Sequence, residues 1–335
     1  MNTKKIDLIN IGLIFISLII AIVLPFKLFL FSYAVLGPLH YLTEINWLKE
    51  KKFFIKSKNI WIISFIGFAF LMSIYPIIKF LDLGLNKSLA NLVQLIGSQA
   101  NALLLMSFLF AVGLLFFKKT KHILLALLIV ILTVFLLTTY IPSTLLFVGL
   151  FLPTLIHVYI FTLLFIFYGA IKSKSKHGIF LGFILMTIPL IISYIPLNPV
   201  SYKPSQETID TFLSSNMQYV SSKVAKILGG FQGGKFYLLS EIGVRIQIFI
   251  AFAYTYHYLN WFSKTSIIGW KKALTKRKII LISFIWIFSI VLYIYNYKTG
   301  LIALLFLSLL HVFLEFPLNI LSIKELLLLK KNKGN

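Results

Sequence analysis

Long apolar stretches alternate with short, lysine-bearing polar ones along the whole chain. A run of about 20 apolar residues is long enough to cross a ~30 Å hydrocarbon core as a helix. Inside that core only a helix or a closed barrel satisfies its own backbone. Ten runs meet the requirement, at 7–25, 28–48, 59–81, 89–117, 122–140, 144–171, 178–196, 242–263, 278–297 and 300–323. Pro25 separates the first two across a very short turn. The pattern predicts an all-α, polytopic integral membrane helical bundle of about ten transmembrane helices, forming a single transmembrane domain over 1–335.

The polar segments carry a second signal. Basic residues accumulate in cytoplasmic loops. With the N-terminus placed inside, the successive inner segments hold two, five, three, three, six and four Lys or Arg, which is 23 of the chain's 32. The alternation holds at every short loop and predicts both termini on the cytoplasmic side. Lys4 and Lys5 precede an apolar run with no small-residue cleavage site, so a retained first span is expected rather than a removed signal peptide.

Two features interrupt the simple alternation. The fourth run carries Asn91, Gln94, Ser98 and Asn101 at helical spacing, predicting one polar helix face that bonds to neighbouring helices. The one long loop, about 197–240, keeps a period near 3.6 through Ile209, Phe212, Leu213, Met217, Val220, Val224, Ile227 and Leu228, with Gly229-Gly230 as a stop. It predicts an extracytoplasmic amphipathic helix that packs on the bundle or lies on the membrane surface.

Composition sharpens this picture. The chain is 59% hydrophobic and 12% charged, with mean hydropathy +0.96. The net charge of +23 is spread through loops rather than gathered on one basic domain, so nucleic acid is not the expected partner. The absence of cysteine excludes disulfides, thiolate ligands and a cysteine nucleophile. Membrane lipids, and a membrane protein docked through the outer loop, are the partners that this organisation suggests.

Against that apolar background a few ionisable residues stand at membrane depth. His40 and Glu44 are four apart in the second run, one turn apart on one helix face, and His311 and Glu315 repeat the spacing in the tenth. His157 and His257 lie inside the sixth and eighth runs. Ionisable groups at this depth are costly without a partner and mark functional sites by default. In the expected topology the four histidine-bearing spans run in the same direction, and at about 1.5 Å per residue the rings spread over roughly 10 Å of depth. A buried metal with His40, His157, His257 and His311 as ligands is the most economical common account. Imidazole suits iron, zinc or copper, and histidine with carboxylate and open positions typifies non-haem Fe(II) oxygen chemistry. Glu44 and Glu315 would ligate directly or orient the imidazoles. Asn260, one turn from Tyr256, is a further candidate for holding O₂ or a water. His122 and His177 sit beside lysines at helix ends and read as surface residues. Other accounts stay open: satisfied core imidazoles in a non-catalytic membrane subunit that docks a partner, a pair of histidines holding haem b, or a proton relay in a proton-coupled transporter.

The stretch Leu36-Gly37-Pro38-Leu39-His40-Tyr41-Leu42-Thr43-Glu44 resembles the first motif of the bacterial Brp/Blh family of membrane-embedded β-carotene dioxygenases, a Gly-x-x-His followed four residues on by an acid. Tyr41 stands where a small residue is usual, and Glu44 where aspartate is usual. The resemblance covers about nine residues. It implies a polytopic helical fold in a bacterial-type inner (cytoplasmic) membrane, His40 among the ligands of an intramembrane iron, O₂ as co-substrate and a carotenoid cleaved to retinal. A lipid-soluble substrate would reach such a site laterally, and Tyr41, Trp47, Tyr159, Tyr254, Tyr256 and Trp261 are candidates to line a slot for a polyene.

Overall fold

The computed structural model describes residues 3–55, 58–141, 147–149, 151–265 and 267–331. The start of the sixth predicted span, 144–146, lies outside these residues. Helices form where the apolar runs lie: α1 (Thr3–Val23), α2 (Pro25–Glu50), α3 (Ile62–Leu81), α4 (Lys87–Ser98), α5 (Ala100–Phe116), α6 (Thr120–Tyr140), α7 (Leu152–Lys172), α8 (Lys176–Tyr194), α9 (Gln206–Ser214), α10 (Gln218–Ile227), α11 (Glu241–Ser263), α12 (Lys276–Tyr295) and α13 (Tyr297–Lys331). Their starts follow from capping chemistry. Asn86, Ser175, Ser205, Ser240 and Thr275 each accept a backbone N–H from the first turn of the helix that follows.

Eight of these helices are long and apolar enough to cross a membrane, and a ninth is added by the bent pair α4 and α5. On α6 and α12 apolar side chains are exposed around most of the circumference, as expected of helices that face lipid. The chain is a membrane protein. The count falls just short of ten because α11, the eighth predicted span, is less apolar than the others. Fifteen of its 23 residues are buried, among them Gln247, Thr255, His257 and Asn260. A helix wrapped by protein need not be soluble in lipid, so its low hydropathy follows from its position.

Two sequence expectations are corrected. The fourth run is not one helix. It bends by 52° at Gln99, and Asn91, Gln94 and Ser98 lie exposed rather than bonded to a neighbouring helix. Gly97 sits against the Tyr75 ring, where a Cβ would come within 2.6 Å of the ring, so the bend seats α4 on α3 by close contact. The long loop at 197–240 forms two short helices instead of one, broken where Asn216 turns left-handed (φ 57°). Its buried face is also shifted, to Thr208 and Phe212 on α9 and Ser221 and Ala225 on α10, leaving Leu213, Ile227 and Leu228 exposed.

The chain divides into two compact units, Met1–His40 with Val158–Leu301, and Tyr41–His157 with Ile302–Asn335. In the first unit α11 is central, packed by α1, α8, α10 and the start of α2. Phe212 of α9 meets Phe26 and Phe29 edge-on, which fastens the 197–240 segment to α2. In the second unit α3, α5 and α6 pack together, with Ala102, Leu105, Val130 and Val134 at the α5–α6 contact. Phe108 of α5 meets Phe316 of α13 at 5.1 Å.

Candidate metal centre

The local backbone of α2 explains how His40 is aimed. Pro38 has no N–H, so an ordinary α register cannot continue through it unchanged. The chain widens instead into a π stretch, Ser32–Leu36, closed by the Gly37 N–H bonding to the Ser32 carbonyl. Such wide turns leave carbonyls unmatched and recur at functional sites. Here the Trp286 indole N–H donates to the Val35 carbonyl at 2.8 Å and the Tyr297 hydroxyl to that of Leu30 at 3.1 Å. Gly37 lets Tyr258 approach closely, since a Cβ there would stand 3.3 Å from the Tyr258 hydroxyl. His157 likewise sits within a π stretch, Leu152–Phe161, that opens with Pro153.

All seven predicted site residues, His40, His157, His257, His311, Glu44, Glu315 and Asn260, are buried. In the first unit His40 and His257 face one another, with 3.1 Å between their Nε2 atoms. The far nitrogen of His257, Nδ1, lies 2.7 Å from the Thr162 hydroxyl. Tyr258 touches both rings, and Trp261 stands edge-on to His40. Asn260 follows His257 by one turn, and its Oδ1 has no hydrogen-bond partner among the described residues.

In the second unit His157 and His311 face one another with 3.3 Å between their Nε2 atoms. Behind His157, Nδ1 lies 3.2 Å from the Glu315 carboxylate, in an ion-pair contact not aligned as a full hydrogen bond. Tyr41 lies against the His311 ring at 5.5 Å. Glu44 is near enough to act electrostatically on Glu315. Buried histidines able to hold a metal ion therefore stand in both units, His40 in the first and His157 and His311 in the second.

The pair geometry passes a simple test. Metal–imidazole bonds are about 2.1 Å, so nitrogens 3.1 and 3.3 Å apart would subtend about 95° and about 104° at a shared ion, the range of octahedral and tetrahedral sites. An imidazole that donates Nδ1–H to a hydroxyl or carboxylate behind it keeps its Nε2 lone pair forward, which is the tautomer a ligand needs. Thr162 and Glu315 occupy those rear positions. A haem between two axial histidines needs roughly 4 Å between the nitrogens, so neither pair brackets one.

Sequence reasoning missed Thr162 and Tyr258, whose residue types in an apolar helix carry no signal by themselves. Of the aromatics singled out for a slot, Tyr41 and Trp261 contact histidines. Trp47, Tyr159 and Tyr256 pack instead on Phe54, Phe249 and Phe252, and Tyr254 on Phe29. His122 is exposed beside Phe117 and His177 is half-buried, in keeping with surface positions. Compared with family models, with curated proteins and with solved structures, the chain finds no match in any of the three.

Proposed function

We propose that His40, His157, His257 and His311 hold non-haem iron, and that the protein is an oxygenase that cleaves or oxidises a carotenoid or a similar membrane-dissolved lipid. The observation that carries this reading is the facing of two imidazole pairs at ligand-to-ligand distance, buried and backed by oxygen atoms. Buried carboxylates strengthen it. Glu44 and Glu315 are 3% and 1% exposed, and burying negative charge calls for positive charge close by. Bound iron would supply O₂ activation.

The chain's own residues have definite tasks in this reading. Glu315 and Thr162 hold the His157 and His257 rings and fix their tautomers. Tyr41, Tyr258 and Trp261 seal the rings from water with apolar faces. The substrate class rests on the membrane setting and on the resemblance of Leu36–Glu44 to the carotenoid-cleaving family. Protein purified without chelator is expected to carry near-stoichiometric iron. Less than about a tenth of an equivalent of iron, zinc or copper would leave the histidines as packing residues of a non-catalytic membrane subunit. Loss of colour in a host producing β-carotene then tests the substrate.

A further inference from the structure

Downstream of His311, α13 continues the polar face. Glu315, Asn319 and Ser322 follow at steps of four, four and three, which keeps all of them on one side of the helix. Glu315, Asn319 and Ser322 are 1%, 1% and 0% exposed. Neither Nδ2 nor Oδ1 of Asn319 has a hydrogen-bond partner among the described residues, and the Ser322 hydroxyl has none either. Pro317 adds to the count. It brings no N–H to the Phe313 carbonyl, so that acceptor loses its helical donor.

Buried polar groups are almost always hydrogen-bonded, and where protein supplies no partner, ordered water does. The Asn319 amide identifies the occupant. A cation would satisfy Oδ1 and be repelled by Nδ2, whereas water accepts from one and donates to the other. We infer that a file of ordered water molecules runs along α13 from Glu315 past Asn319 to Ser322 and opens to bulk water just beyond it, where the charged Lys324 and Glu325 are half-buried. The file gives water, as reactant or proton carrier, a route to a carboxylate otherwise sealed from solvent. It stands on the unpartnered groups alone and does not require that a metal be bound.

The absence of native cysteine makes the test direct. Ser322→Cys, a one-atom change, is treated in the full-length protein with aqueous Ag⁺, which passes where water passes and captures thiols. The reference is Ser107→Cys in the same unit, equally buried at 0% but with its hydroxyl satisfied by the Leu104 carbonyl at 2.7 Å. Ser322→Cys is expected to react at least about 100-fold faster than Ser107→Cys, because only the former meets water. Asn319→Cys should react at an intermediate rate, being deeper. A rate at either file position no faster than at Ser107→Cys overturns the file. Metal content is not read in this experiment, so its failure is distinguishable from failure of the iron reading.

Discussion

The two histidine pairs are alike at the front and different behind. In the first pair His257 is backed by the neutral Thr162 hydroxyl, Tyr258 packs on both rings and Trp261 stands edge-on to His40. In the second pair His157 is backed by the Glu315 carboxylate, with Glu44 in electrostatic reach of it. A hydroxyl fixes a ring's orientation and adds no net charge. A carboxylate also raises the ring's electron density and makes it a stronger donor. In the proposed site the first pair would serve geometry and the second affinity.

The largest effect separates ligands from supports. His157→Ala is expected to abolish iron retention at the carboxylate-backed pair in metal analysis, and unchanged loading would remove that pair from the proposed ligand set. Next come the supports themselves. Glu315→Gln should weaken metal affinity by about 10–100-fold in a chelator competition. Thr162→Val should cost less, on the order of 10-fold at most, with Thr162→Ser restoring it. The reverse order would invert the comparison.

Smaller effects test the scaffolding of the first pair. Gly37→Ala pushes against Tyr258 and should destabilise by about 1 kcal/mol, with a shift in thermal midpoint and little change in metal bound by the other pair. Trp286→Phe leaves the Val35 carbonyl without its donor and should cost about 1 kcal/mol by the same measurement. No loss in that variant would mean that the widened turn needs no external partner.

Much of this molecule can be read from residue order because membrane crossing is a length requirement, and apolar runs report length directly. The histidines at depth were equally visible, since polar groups are conspicuous in an apolar background. Pairing was not. Nothing in spacing couples His40 to His257 or His157 to His311, because tertiary packing within each unit makes those pairs. The bend at Gln99 was hidden by an unbroken run of hydropathy, and the π stretches by the fact that hydropathy carries no register. Thr162 was invisible for another reason, as a threonine in an apolar helix usually bonds its own backbone. Asn319 and Ser322, by contrast, continue the spacing of His311 and Glu315 and were legible in principle.

The widened turn at Ser32–Leu36 acts as a phase setter. One surplus residue is taken up inside the wide turn, so side chains beyond it point where an unbroken α-helix one residue shorter would send them. Deleting a single residue there, with return to the ordinary pitch, would leave the imidazole of His40 facing that of His257. Adding one with no second wide turn to absorb it would swing the ring by about 100° and lengthen the rod by only ~1.5 Å, so the helix would still form with its histidine in the wrong quadrant.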